Sequence, residues 1–85
     1  MRLTVTLDVL LFAGVRQAAG SDRISLDVPE PVTIGSLRGA LAERLPKVAD
    51  LIQVAMFAIG TEYADDDTVV PAGSTVACIP PVSGG

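Results

Sequence analysis

From Leu3 to Phe12 the chain alternates. Leu3, Val5, Leu7, Val9 and Leu11 form one phase, and Thr4, Thr6, Asp8, Leu10 and Phe12 form the other. A period of two with β-branched residues predicts a strand whose uniformly apolar phase faces a core. The opposite phase begins polar and ends in Leu10 and Phe12, so the end of the outer face is an apolar patch, suited to a partner or a covering element. The segment Val15–Gly20 predicts a short helical turn closed by Gly20. Alternation returns in Arg23–Val28, where Ile24, Leu26 and Val28 share a face, and Pro29 to Pro31 end that strand. The first two strands are expected to pair antiparallel.

The period then changes. Thr33 is a suitable N-cap, and Ile34, Leu37, Leu41 and Leu45 follow at helical spacing, forming one apolar stripe. Pro46 stops this helix. Gly35 and Gly39 weaken it locally, and Gly39 suggests close packing on a sheet. Val48–Gln53 reads as a further short helical turn. The run Val54–Gly60 is continuously apolar and predicts a central strand buried on both faces. A short strand is expected in "TEYA", turn and loop in "ADDDTVVPAGS", and a last strand in Thr75–Pro80. There Val76 and Cys78 form one phase, and Thr75, Ala77 and Ile79 the other. One amphipathic helix among four to five strands gives a two-layer α+β domain. Its natural small solution is a β-grasp: a mixed sheet on one main helix, with the first and last strands paired in the middle. The folded domain is expected over residues 1–80, with 81–85 an extended, flexible tail.

Composition narrows what such a domain can do. Eighty-five residues make one core. Only 4% of residues are aromatic and none is Trp, so that core is aliphatic. The formal net charge is −4, and the six basic residues are scattered. Phosphate-backbone binding needs clustered Lys and Arg, so nucleic acid is not an expected partner. The stretch Val9–Gly20 imitates a signal peptide, a short apolar run before Ala-Ala-Gly, but Asp8 and Arg16 leave only Val9–Val15 uncharged, and a buried strand is the better reading. No stretch approaches a membrane span. One cysteine and no histidine leave no internal disulfide and no common structural zinc set, and the chain reads as cytoplasmic.

Side chains that do chemistry are scarce. There is no His to act as a base and no phosphate-cradling glycine motif. Cys78 lies mid-strand in the core phase, without a basic neighbour in sequence, so it is expected to be buried and structural rather than nucleophilic. Asp65, Asp66 and Asp67 lack calcium-loop spacing and are expected to be solvated. The terminus is the exception. Pro80 and Pro81 favour a stiff, extended exit from the last strand. Pro81 to Gly85 then reach roughly 15 Å at about 3.1–3.6 Å per residue. Gly84 and Gly85 carry no Cβ, so the terminal carboxylate can enter a channel too narrow for other residues.

That terminal "PPVSGG", following the apolar "VACI", resembles the small subunit of molybdopterin synthase, the MoaD family of ubiquitin-like sulfur carriers. The segment "LFAGVRQAAG" (Leu11 to Gly20) and the Thr33-capped helix support the resemblance, which covers nearly the whole chain. The chain departs from the family in having Gly60 where Asn is usual, and Gly73-Ser74-Thr75 where Gly-Asp-Glu is frequent.

The resemblance implies a covalent carrier with no bound cofactor. A ubiquitin-activating-type enzyme uses ATP to adenylate the Gly85 carboxylate, and sulfur replaces AMP to leave a 1-thioglycine at Gly85. The tail, with Gly84 and Gly85 at its reactive end, enters the large synthase subunit, in a heterotetramer of two small and two large subunits. There it gives sulfur to cyclic pyranopterin monophosphate, building the molybdopterin dithiolene. The resemblance also assigns partner contact to Phe12, Tyr63 and Ile79, and the tail residues Pro80, Pro81 and Val82 accompany them. Arg16 is a candidate for an ion pair with a partner. Alternatives within the same chemistry are a sulfur carrier for thiamine, cysteine or tRNA thiolation. A protein modifier joined to lysines through Gly85, or a plain β-grasp interaction module, would be different functions.

Overall fold

The computed structural model describes residues 3–81. In chain order the elements are β1 (Thr4–Leu11), α1 (Ala13–Ala19), β2 (Arg23–Pro29), α2 (Ile34–Arg44), a 3₁₀ turn (Pro46–Val48), α3 (Ala49–Gln53), β3 (Met56–Ile59), β4 (Glu62–Ala64) and β5 (Thr75–Ile79). The five strands form one sheet in the order β2-β1-β5-β3-β4. β1 and β5 run parallel, and every other pair is antiparallel. This is the expected α+β β-grasp, with the first and last strands side by side.

The alternation of β1 places Leu7, Val9 and Leu11 in the core, where they meet Leu26 and Val28 of β2, Phe57 of β3, and Val76 and Cys78 of β5. α2 closes this face with Ile34, Leu37 and Leu41, all fully buried. Leu45, the last position of the stripe, is only partly buried. Among the described residues no polar or charged residue is buried, so hydrophobic burial is the main force holding the two layers together. Among the described residues no helix is long and apolar enough to cross a membrane.

α2 begins where Thr33 predicts. The Thr33 Oγ1 accepts from the Ser36 N–H at 3.2 Å, and the Ser36 Oγ accepts from the Thr33 N–H at 3.0 Å. This is a capping box with serine in the place of the usual Glu or Gln. Two further amides of the first turn are satisfied from outside the helix. Ile34 donates to the Thr68 carbonyl and Gly35 to the Asp66 carbonyl, each at 3.0 Å. The Asp65–Asp67 segment is thereby fastened to the N-terminus of α2. The helix ends at Arg44, just before Pro46, as expected. α1 closes on Gly20, in the left-handed conformation with its N–H bonded to the Arg16 carbonyl.

Two expectations are corrected. The run Val54–Gly60 yields a shorter strand that is neither central nor covered on both faces. β5 occupies the centre, and Val54 and Met56 are 63% and 54% exposed. The helices form a single layer, so only one face of the sheet is covered. Within the run Ala55 and Phe57 join the core, whereas Met56 and Ala58 lie on the uncovered face. Gly39 does not pack on the sheet either: it is exposed, and a Cβ built there would meet nothing within 4 Å. Close approach occurs instead at Gly14, where a Cβ would lie 2.8 Å from the Leu51 Cδ2. Because Gly39 sits mid-helix in open space, Gly39→Ala should stabilise the domain by about 0.5–1 kcal/mol. A higher urea midpoint checks this, and a lower one would show the site to be closed.

Candidate functional site

The uncovered face of the sheet is divided. Over the first half of β1 and its partner β2 it is polar. The Asp27 Oδ1 accepts from the Thr6 hydroxyl at 2.6 Å, and the Asp8 Oδ1 from the Ser25 hydroxyl at 2.9 Å. From Leu10 onward the face is apolar. Leu10 pairs with Ala77, Ala77 with Ala58, and Ala58 with Tyr63, a row crossing four strands. A second row begins at Ile79 and continues to its partner Met56. Ala58 is buried although it stands outside the main core. Tyr63 is 67% exposed. Phe12, one residue beyond the last β1–β5 pair, is 43% exposed and extends this surface.

The structure therefore brings Phe12, Tyr63 and Ile79 onto the same side of the sheet, with Ile79 at the end of β5 and Tyr63 level with Ala77 in its middle. Phe12 is held by the β1–α1 junction: its backbone is extended, and Ala13 after it has φ +53. Arg16 is exposed, with its N–H bonded to the Phe12 carbonyl at 3.3 Å. Its side chain makes no ion pair among the described residues.

Pro80 departs from expectation. It is buried, whereas Pro81 is exposed. Pro80 continues the core phase of Val76 and Cys78, and Pro81 continues the outer phase of Ala77 and Ile79. A contact surface at the root of the tail is thus offered by Pro81, while Pro80 fastens that root to the domain. Val82, Gly84 and Gly85 lie outside the described residues.

Cys78 is buried as expected, with 0% exposure. Loss of solvation pushes its thiol up to about 11, against the weaker opposing pull of Arg38. A neutral thiol is a poor nucleophile, so Cys78 should resist iodoacetamide at pH 7.5 until the domain unfolds. In the unfolded chain it titrates at about 8.5. Only the unfolded state therefore ionises as pH rises from there, and up to about 3 kcal/mol of stability is lost towards pH 11. Urea titrations at pH 8 and pH 10.5 should show this loss in the wild type and a smaller one in Cys78→Ala.

Two residues of this region escape a reading of the sequence alone. Met56 is hidden in a run that looks buried on both faces. Arg38 looks like one of several scattered cations. Its guanidinium donates from Nη1 to the carbonyls of Ile52, Gln53 and Ala55 at 2.8, 3.0 and 2.8 Å. Nε and Nη2 donate to the Asp66 Oδ1 at 3.2 and 2.9 Å. The group lies over the Phe57 ring, 4.7 Å from its centroid. The available signal is its spacing: Arg38 is four residues after Ile34, on the flank of the apolar stripe, where a cation must find partners or bend outward.

Comparison with known proteins agrees with this architecture. The model of the ThiS family matches residues 9–85. The molybdopterin synthase sulfur carrier subunit of Dictyostelium discoideum is 35% identical, over 91% of this chain and 93% of that one. The subunit of the same name from Arabidopsis thaliana is 30% identical, over 96% and 85%. Among solved structures, SAMP1 from Haloferax volcanii superposes with a TM-score of 0.80 at 27% identity, covering 94% of this chain and 99% of that one. A complex of subunits 1 and 2 of molybdopterin-converting factor from Helicobacter pylori contains a chain of the same fold, with a TM-score of 0.64 at 17% identity, over 95% and 100%. On the breadth of the family match and these identities, the chain belongs to the ThiS family, as a ubiquitin-like β-grasp protein similar to the molybdopterin synthase sulfur carrier subunits.

Proposed function

We propose that this protein is the sulfur carrier subunit of a molybdopterin synthase, with the Gly85 carboxyl group as its reactive centre. The observation that carries this reading is the apolar surface of Phe12, Met56, Tyr63 and Ile79, placed at the end of the sheet where β5 delivers the tail. A partner that grips this surface receives the tail at a fixed starting point, and Pro81 directs it outward. The similarity to named sulfur carrier subunits supports the same role.

The chemistry follows from the terminus. A carboxylate is a poor electrophile. An activating enzyme joins the Gly85 carboxylate oxygen to the α-phosphorus of ATP and releases pyrophosphate. Hydrosulfide from the sulfur donor then attacks the acyl carbon, and AMP leaves as the C–S bond replaces its C–O bond. The resulting thiocarboxylate is an anionic, soft nucleophile at neutral pH. Presented to the large subunit, its sulfur bonds a side-chain carbon of cyclic pyranopterin monophosphate as a carbon–oxygen bond there breaks, and hydrolysis of the resulting thioester leaves the sulfur on the pterin and returns the Gly85 carboxylate. Acid and base groups belong to the two partners, which accounts for a carrier without histidine. The carrier binds no cofactor of its own and works in the cytoplasm. The synthase is the heterotetramer of two large and two small subunits, with Phe12, Tyr63, Ile79 and Pro81 facing the large subunit and Arg16 at the margin.

Reconstitution tests the reading. The thiocarboxylated protein, mixed with the large subunit and cyclic pyranopterin monophosphate, should form molybdopterin. No product from a large subunit that is active with its own carrier would sink it. The similarity to Haloferax SAMP1, a small archaeal modifier protein, favours a second use of the same carboxyl group: an amide bond to a lysine of another protein. Gly-Gly remnants on lysines, dependent on Gly85, would reveal that activity.

A further inference from the structure

We infer that Arg38 is a positioning residue for the partner surface: one guanidinium clamps both ends of the β3–β4 hairpin, which carries Met56 and Tyr63, to the helical layer. The inference rests on the carrier reading for what binds there, but its structural half stands apart from it.

The hairpin is the weakest part of the sheet by construction. β4 has three residues and a neighbour on one side only. β3 has four residues and is preceded by exposed Val54. Arg38 holds the entrance through the Ala55 carbonyl, the residue before β3, and through the last carbonyls of α3 at Ile52 and Gln53. It holds the exit through Asp66, two residues beyond β4. Between these points it stacks on Phe57, whose strand partners are Ala64 on β4 and Cys78 on β5. The Arg38 side chain is only 14% exposed, so its bonds to the Ile52 and Ala55 carbonyls form with little competition from water, while the Asp66 end, 58% exposed, is open to it. Met56 and Tyr63 stand on the opposite face of the same two strands, and Met56 pairs with Ile79 at the root of the tail. The tilt of the hairpin therefore fixes where half of the apolar surface lies relative to the emerging tail. Lysine cannot replace this fork. A single ammonium reaches the carbonyls or the carboxylate, but does not also stack flat on the ring.

The test separates positioning from stability. Arg38→Met is compared with Arg38→Lys, and with Val28→Ala, a core truncation on β2 at the far edge of the sheet. All are measured at a temperature where each is fully folded. In Arg38→Met, amide exchange should quicken about tenfold more in β3–β4 than in β1–β2. The dissociation constant for the large subunit should rise about tenfold. Arg38→Lys should fall between wild type and Arg38→Met. Val28→Ala should leave affinity within about twofold and show no selective loosening of the hairpin. Should Arg38→Met not fold, Asp66→Asn loosens the exposed end of the clamp and is held to the same criteria, with smaller effects. Uniform loosening in Arg38→Met, or an affinity loss matched by Val28→Ala, overturns the inference. If the thiocarboxylated wild type fails to bind the large subunit, the carrier reading falls. The exchange pattern then decides the clamp by itself, selective loosening supporting it and uniform loosening refuting it.

Discussion

Removal of Gly85 should abolish sulfur transfer while leaving the domain as stable as before. The shortened chain still ends in a glycine carboxylate, so neither charge nor chemical type is lost. What changes is reach: one extended residue spans about 3.1–3.6 Å. A misplacement of about 1 Å at a reacting centre can cost about a hundredfold in rate. A shift three times larger should bring both adenylation and transfer to background. Gly84→Val keeps the length but adds a branched side chain to an arm that must pass a narrow channel, so it should fail as well. Both positions come after Cys78, the last core residue in sequence among the described residues. Thermal unfolding should shift by no more than about 1 °C, which separates this loss from misfolding. Pyrophosphate release and product formation, measured beside the melting curve, check both halves of the expectation.

The second large effect concerns association. Phe12→Asp should weaken the complexes with the activating enzyme and with the large subunit alike. Phe12 is already 43% exposed, so aspartate costs the free domain little. In a complex the same position becomes buried, and an unpaired carboxylate there is strongly unfavourable. A central aromatic anchor contributes about 2 kcal/mol or more, equivalent to roughly thirtyfold in affinity. Ile79→Asp should act in the same direction, but it is partly buried and would also lower stability. On the proposed reading one surface serves both partners, so the two complexes should exclude each other, and excess large subunit should inhibit adenylation. Unchanged affinity for either partner in Phe12→Asp would refute a shared surface.

Much of this architecture can be read along the chain. Strict alternation from Leu3 to Phe12 identifies β1 and its core face, because side chains in a strand change sides at every residue. The stripe from Ile34 to Leu41 and the cap at Thr33 identify α2 for the corresponding helical reason. The tail announces itself through residue types with few other uses together. The reading breaks down where two layers must be counted. Val54–Gly60 looks buried on both faces because apolarity alone cannot tell a covering helix from a binding partner, and Met56 is lost to that ambiguity. Pro80 and Pro81 look equivalent until strand phase separates them. Arg38 is invisible for another reason: its acceptors come from residues 52, 53, 55 and 66, and only the folded chain brings them together.

The apolar half of the sheet is best understood with the tail rather than with the core. Among the described residues no polar or charged residue is fully buried, and the sequence has no histidine. On the proposed reading the domain's part is to offer a surface to a partner and a carboxyl group at Gly85 to that partner's chemistry. The buried, neutral Cys78 fits this division, since a reactive thiol near an activated carboxyl group would compete for it.

The most direct measurement is the intact mass of the protein after incubation with ATP, a sulfur donor and its cognate activating enzyme, with fragmentation to locate any change. A gain of about 16 Da confined to Gly85, from exchange of one oxygen for sulfur, and absent when Gly85 is deleted, is the predicted result. An unchanged mass while the enzyme releases pyrophosphate in response to the carrier, or a modification elsewhere in the chain, would contradict it.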